Sequence, residues 1–561
     1  MAFEPELPVE TEWQFDAIDV RPVERWLAAL PGGAGPAVEP GATSTIVDTY
    51  LDTDDWRLHR AGYSLRIRRK AGAVEATLKS LAEGDDGLRR RTEFNEGLAG
   101  RDIAALLDAE GPVATRAKLA AGRAPLAPLF DVRTRRTAYR LTIDGAIAGE
   151  VAVDRTTIPL GDRSESARLR RVEVEVPEHL VPVLGPFVES MRSANGLQPA
   201  ALSKYQAGLL AKGLQPTITP DLGSMEVDAS RTIGEVAFAM LRRQLTNVLA
   251  NEPGTRIGDE NEDLHDMRVA TRRIRAALST FRDVLPVRFA RFRDELGWVA
   301  DALGAVRDLD VQLEQLDEWV AASAEEDTGA LEPLRQILET QRSEAREGML
   351  AMLDSGRYER LVAAFTDGLR RGPLKTSSTS RQPVLGAAPD LILERYGTVR
   401  KRGRRIVKDA PSSDYHRLRI SCKRLRYTLE FLWEVYPKEI APLVKRLVSV
   451  QDILGLHQDA FVAVRRLRST VAEQGGSLAP ATIFAMGIVA RRYGEQEEDL
   501  RARFPKAYGR LTGKRWKALR REMERRRPAP PPAPVLRPLG PVATPRPPSA
   551  DEQVTRPQGA G

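Results

Sequence analysis

Cysteine is nearly missing: Cys422 is the only one among 561 residues. No internal disulfide can form, and no cysteine-based zinc site can be assembled. Aromatic residues are sparse at 6% and are not interleaved with the basic stripe described below, so the stacking platforms of single-stranded nucleic-acid binders are lacking. No stretch approaches the roughly 18 apolar residues of a membrane span. The opening MAFEPELPVETEWQF is acidic, without the basic start and apolar core of a secretion signal. A cytoplasmic, reducing location is the expectation. There is also no GxxxxGK[ST] loop, since Thr512-Gly513-Lys514 lacks the preceding glycine spacing, and no HExxH or GxSxG.

What is abundant is charge. Charged residues make up 29% of the chain, with a net charge of +7. The length requires more than one hydrophobic core. Residues 5–213 read as β-rich, with short alternating runs between Gly, Asp and Pro turns and helical interruptions near Val23–Leu30 and Ile103–Leu107. Residues 214–228 hold Pro and Gly and read as a linker. Residues 229–515 change to helical periodicity, and 528–561 form a Pro-rich tail expected to be disordered. The predicted class is α+β multidomain.

The helical half repeats itself. HDMRVATRRIR starts at His265 and HRLRISCKRLR at His416, 151 residues later. LGWVADALGAVRD (Leu296–Asp308) and LVSVQDILGLHQD (Leu447–Asp459) are offset by the same 151. Two blocks in one register predict two related helical bundles. In the first copy, helical spacing puts Arg268, Arg272 and Arg275 on one stripe with His265 at its edge, opposite Met267, Ala270, Ile274 and Leu278. The second copy sets His416, Arg419, Lys423 and Arg426 against Leu418, Leu425 and Leu429. The stripe reads as free of the i+4 carboxylates that neutralise a solvated face. Two such stripes meeting in one groove, with Arg400, Lys401, Arg402, Arg404, Arg405 and Lys408 nearby, would suit a long polyanion.

In the β-rich half, alternation places Glu10, Glu12 and Gln14 on one strand face. It likewise aligns Arg66 with Arg68, Arg91 with Glu93, Glu150 with Asp154, and Glu173 with Glu175, each opposite a mostly apolar face. Charges sorted by sign along single strands predict a closed barrel with a charged lumen. Paired carboxylates offer hard oxygen ligands for Mg²⁺ or Mn²⁺, and Arg and Lys offer clamps for phosphate oxygens.

Residues 8–212 resemble the CYTH, or triphosphate tunnel metalloenzyme, family. The resemblance runs through Glu10-Thr11-Glu12-Trp13-Gln14, YLDTDDWRLHRAGYSLRIRRK, TLKSL, RRTEF, RTRRTAYRL, VAVD, VEVEV and LSKYQAG. It implies an antiparallel β-tunnel with flanking helices. It also implies metal binding by Glu10, Glu12, Glu173 and Glu175, with Asp154 and Glu93 supporting. Phosphate would be held by Arg66, Arg68, Lys79, Arg91, Arg136 and Lys204; which of Arg135 and Arg136 faces inward is left open by the residues themselves. Gln14 stands where the family pattern ExExK has lysine, which removes one charge-assisted contact. Residues 232–512 are similar to the CHAD family of duplicated four-helix bundles. That resemblance implies polyphosphate contacts at His265, Arg268, Arg272, Arg275, His416, Arg419, Lys423 and Arg426.

The expected function is hydrolysis of inorganic triphosphate or short polyphosphate with Mg²⁺ or Mn²⁺, with polyphosphate tethered by the helical half. The alternative is a non-catalytic, granule-associated polyphosphate binder whose tunnel has lost turnover. Nucleic acid is disfavoured as a partner.

Overall fold

A computed structural model describes residues 7–528 apart from 31–35, 82–85, 162–165, 217–219, 260, 322–328 and 408. The Pro-rich tail beyond residue 528 and Lys408 lie outside the described residues.

Eight strands form the first half: β1 (Val9–Asp16), β2 (Ala37–Thr53), β3 (Tyr63–Lys70), β4 (Ala73–Ser80), β5 (Leu88–Gly97), β6 (Leu126–Ile143), β7 (Ala146–Pro159) and β8 (Ser166–Glu175). They run in the order β5-β4-β3-β2-β6-β7-β8-β1, all antiparallel, and β1 pairs back to β5. The sheet is therefore a closed barrel. A two-residue β9 (Gln198–Pro199) adds to β1.

Helices α1 (Arg21–Ala28), α2 (Arg57–Arg60), α3 (Ile103–Asp108), α4 (Pro112–Ala121), α5 (Val181–Asn195) and α6 (Lys204–Lys212) surround it. Their placement explains why the apolar strand faces point outward. Val172 and Val174 of β8 and Val151 and Val153 of β7 pack with Leu184, Val188 and Met191 of α5. Leu65, Ile67 and Leu78 pack against Val113, Ala114 and Ala117 of α4. Burial of both sets leaves only the charged faces for the interior. Helix α6 starts with a capping box between Ser203 and Gln206. It stacks Tyr205 on Phe130 and packs it against Tyr50, plugging one end of the barrel with apolar contacts. Gly208 permits this, since a Cβ there would overlap the Phe130 ring.

The second half is helical: α7 (Ile233–Ile257), α8 (Asn261–Thr280), α9 (Ala290–Ala321), α10 (Glu332–Leu353), α11 (Gly356–Arg370), α12 (Val384–Gly403), α13 (Ser412–Phe431), α14 (Pro437–Gln474), α15 (Pro480–Leu511) and α16 (Lys514–Arg526). The duplication is visible in the boundaries. Helices α7 and α12 begin 151 residues apart, at Ile233 and Val384, and α8 and α13 both begin and end at that offset. Within each copy the helices pack in sequence, α7 to α10 and α12 to α15, and α8 meets α13 across the pseudosymmetric interface. Met267, Ile274, Leu418, Cys422 and Leu425 fill the shared core. Among the described residues, no helix is long and apolar enough to cross a membrane.

Candidate functional site

Barrel closure turns the charged faces predicted above into one lumen. Glu10, Glu12 and Gln14 of β1, Arg66 and Arg68 of β3, Lys79 of β4, Arg91 and Glu93 of β5, Arg136 of β6, and Glu173 and Glu175 of β8 line a cavity of about 250 Å³. Helix α6 adds Lys204 to the same lining. Asp154 of β7 lies behind Arg136 and Lys204 and is fully buried. Arg135 faces outward and is exposed, which resolves the choice within RTRRTAYRL.

The side chains form two ion-pair clusters. In the first, Lys79 Nζ donates to Glu12 Oε1 at 2.8 Å, lies 2.9 Å from Glu93 Oε2, and also donates to Glu10. Arg91 donates to the same Glu12 oxygen. In the second, Arg136 makes a fork to Asp154, with Nε to Oδ1 at 2.9 Å and Nη2 to Oδ2 at 2.7 Å, and also reaches Glu173. Lys204 Nζ bonds Asp154 at 2.6 Å and Glu173 at 2.9 Å. Arg68 forks onto Asp48 at 2.8 and 3.0 Å, with Arg66 3.7 Å from the same carboxylate. The cations of the charged lumen are thus paired with carboxylates rather than left free. Signs are sorted along each strand, but adjacent and next-but-one strands carry opposite signs, and closure through β1 and β5 adds Glu10 and Glu12 to Lys79 and Arg91.

The pairing is incomplete, and proton affinities record where. Glu10 is pushed up to about 9 by burial, with Glu12 and Glu93 adding to the effect. Burial raises Glu175 as well, again helped by Glu12 and Glu93. In Glu173, burial acts upward but Lys204 and Arg136 overcome it and hold the carboxyl well below the usual range. Glu12 is likewise held low against its burial by Lys79 and Arg91. Gln14, beside Glu173 in register, keeps a buried Oε1 that accepts no hydrogen bond.

Among the described residues, no three acidic, His or Cys side chains stand in metal-holding geometry. The carboxylates are instead drawn to Lys79, Arg91, Arg136 and Lys204. The donor set nevertheless fits a hard divalent cation. Carboxylate oxygens are the ligands Mg²⁺ and Mn²⁺ prefer, and burial, with neighbouring carboxylates, raises Glu10 and Glu175, an effect that a bound cation would offset.

Sequence reasoning passed over Asp48, which is buried at 1% exposure and anchors both tunnel arginines of β3. Its signal was a lone acid in the apolar run TIVDTYL, at the inward register. Glu75, Arg89 and Asn95 also line the cavity without having been singled out.

The helical half brings Arg268 and Arg272 of α8 together with Arg419 and Lys423 of α13 in a second cavity of about 630 Å³. Arg272 Nε and Arg419 Nε are buried there without hydrogen-bond partners. Lys423 is pulled down to about 7 by burial and by Arg419, Arg272, Arg268 and Arg426. Carboxylates answer in part: Arg268 Nη2 bonds Asp308 at 2.9 Å, Asp459 in the same lining acts on Arg419 and Lys423, and Glu473 stands at the same cavity.

The other four predicted residues lie outside this lining. His265 is half-buried on α8, and Arg275 lies near Gly297 of α9. His416 is exposed, its Nδ1 2.8 Å from Gln458 Oε1. Arg426 turns to Glu430, with Nε 3.3 Å from Oε1. That i,i+4 pair corrects the reading of the stripe as free of such carboxylates, because Glu430 follows Arg426 by one helical turn. His457 is buried and stacked on Tyr415.

A barrel with a charged lumen joined to a duplicated helical unit defines the class. Family models place a CYTH domain at residues 30–181 and a CHAD domain at 239–468. The chain therefore carries a CYTH domain followed by a CHAD domain. The CYTH span omits β1 and α6, which supply Glu10, Glu12 and Lys204. A comparison with curated proteins finds no match. Among solved structures, the CHAD domain from the plant Ricinus communis is 27% identical over 51% of this chain and 94% of its own, with a TM-score of 0.43. PptA from Streptomyces chartreusis is 21% identical over 50% and 100%, with a TM-score of 0.41. A candidate adenylyl cyclase from Hippeastrum, described as having a dominant triphosphatase activity, is 19% identical over 37% and 98%, with a TM-score of 0.30.

Proposed function

We propose that the tunnel hydrolyses inorganic triphosphate or a short polyphosphate with Mg²⁺ or Mn²⁺, and that the groove between the helical repeats binds polyphosphate. The observation that carries this reading is the small lumen, about 250 Å³, lined by Arg66, Arg68, Lys79, Arg91, Arg136 and Lys204 together with carboxylates. Apolar side chains able to receive an organic group are few in it.

In this reading the six cations clamp phosphate oxygens through charge-assisted hydrogen bonds, each contributing about 1.5–3 kcal/mol. An arriving phosphate takes Lys79 and Arg91 away from Glu12, and Arg136 and Lys204 away from Glu173. The freed carboxylates of Glu10, Glu12 and Glu173, together with Glu175, would hold the metal, with Asp154 and Glu93 beside them. When bound, the ion supplies Lewis-acid polarisation of a phosphoryl oxygen and a more acidic water. Arg136 and Lys204, backed by buried Asp154, stay positioned to neutralise charge that develops on the leaving phosphate. Polyphosphate held in the groove raises the local concentration of chain ends for the tunnel. A cytoplasmic protein associated with polyphosphate granules would suit both activities.

A second reading, a polyphosphate binder without turnover, is favoured by Gln14. Its uncharged amide leaves an unpaired oxygen in the lumen. Phosphate release from inorganic triphosphate, long polyphosphate, ATP and thiamine triphosphate, with each metal, tests the two. Release from triphosphate supports hydrolysis; binding without release supports the second.

A further inference from the structure

The groove cavity has two chemically different walls. At about 630 Å³ it is more than twice the size of the tunnel lumen at 250 Å³, and it falls within the roughly 300–1,000 Å³ of small-molecule sites. One wall is mainly cationic: Arg268, Arg272, Arg419 and Lys423, with Arg466 of α14, outnumber the carboxylates Asp308, Asp459 and Glu473 in the same lining. The other carries Trp319 of α9, Ile337 and Leu338 of α10, and Val462 of α14. Trp319 is fixed in place: its Nε1 donates to Tyr493 OH at 2.9 Å, and the two rings meet edge to face at 5.2 Å. Among these apolar groups stand the half-buried carboxamides of Gln315 and Gln341, which make no hydrogen bond among the described residues.

Three ligand chemistries can be weighed against that lining. A bare phosphate chain satisfies the cations but gains nothing from Trp319 and Ile337. An alkyl diphosphate would cover the apolar wall yet leave the carboxamides facing hydrocarbon, where unpaired polar groups are penalised. A flat heterocycle on a phosphate chain uses both: its faces lie against aromatic and aliphatic side chains, and its edge exchanges hydrogen bonds with amides.

We propose that this cavity is a nucleoside polyphosphate site, with the phosphates on the Arg268–Arg272–Arg419–Lys423 wall and the base against Trp319, read by Gln315 and Gln341. The proposal rests on the phosphate-binding reading of the groove and adds an organic group to it. The tunnel, with its polar lining and smaller volume, remains the site for the inorganic chain.

The test is calorimetric titration of the full chain bearing Arg66→Ala and Lys79→Ala, which removes two tunnel cations, used at a temperature where its thermal melt shows it folded, with ATP, tripolyphosphate, a prenyl diphosphate and long polyphosphate in metal-free buffer. ATP is expected to bind about tenfold more tightly than tripolyphosphate, the scale of one stacked base. Trp319→Ala should bring ATP down to the tripolyphosphate level while leaving tripolyphosphate affinity within about twofold. Because Trp319 also packs on Tyr493, Gln341→Leu serves as a second, milder variant that should weaken ATP selectively. Equal affinities for ATP and tripolyphosphate would overturn the proposal, as would tighter binding of the prenyl diphosphate. Long polyphosphate binding with no ATP preference sinks the nucleoside assignment alone. Failure of every phosphate ligand to bind removes the groove reading together with it.

Discussion

Lys79 Nζ donates to Glu12 Oε1 at 2.8 Å, joining β4 to β1 past the intervening β5. The same ammonium lies against Glu93 and Glu10, so one cation holds three carboxylates. Removing it by Lys79→Met leaves buried anions unpaired and should cost about 3–5 kcal/mol of stability at pH 8. The loss should shrink toward pH 5, where Glu12 and Glu93, held low against their burial chiefly by Lys79, regain protons once it is gone. Thermal melts at the two pH values check this. An equal loss at both would mean that the carboxylates are not the strained groups.

Glu10 gives a pH dependence of its own. Its folded-state proton affinity, near 9, lies above the ordinary 4.5. The folded protein therefore retains a proton that the unfolded chain has lost between those values. Stability from this site is fully present below about 4.5 and is lost as pH rises toward 9. Glu10→Gln should accordingly raise the melting temperature more at pH 8.5 than at pH 5.5. Metal binding to the wild type near pH 7.5 should release a proton, read by calorimetry in two buffers of different ionisation enthalpy.

Gln14→Lys would place an ammonium beside Glu173, where an amide oxygen now lacks a partner. Replacing a neutral contact by a charge-assisted one should tighten triphosphate binding roughly tenfold. A simultaneous large gain in phosphate release would favour the reading of the tunnel as a decayed enzyme.

Arg272→Ala with Arg419→Ala removes two guanidiniums whose Nε atoms are buried without partners. Polyphosphate affinity should fall, and the slope of log affinity against log salt should flatten by about one to two. An unchanged slope would place the polyanion elsewhere.

Lys423 should make groove binding pH-dependent. In the free protein it loses its proton near pH 7, and bound phosphate favours the charged form. Binding then takes up a proton above pH 7 and weakens as pH rises, a trend that Lys423→Met should flatten.

Much of this was legible before any coordinates. Two-residue alternation placed Glu10 with Glu12 and Arg66 with Arg68, because both neighbouring apolar faces needed burial. The 151-residue offset fell on helix boundaries, Asn261 to Ser412, since a repeated sequence folds as a repeated unit. What stayed hidden depended on closure. Nothing local tells Lys79 that Glu12, 67 residues away, will be its partner. Nor does it say that Arg136 rather than Arg135 turns inward, because both sit in one run of bases. Asp48 gains its partners only when β3 lies beside β2 and brings Arg66 and Arg68 to it. Glu430 falls outside the repeated block HRLRISCKRLR, which ends one turn earlier at Arg426.

The most direct measurement is the initial rate of phosphate release from inorganic triphosphate by the full chain, with Mg²⁺ and with Mn²⁺, beside Glu12→Gln under the same conditions. Metal-dependent turnover by the wild type and a loss of roughly a hundredfold or more in the variant are predicted, the scale of removing one electrostatic contact to the reacting group. No release with either metal, or a rate unchanged by Glu12→Gln, would contradict the tunnel as the catalytic centre.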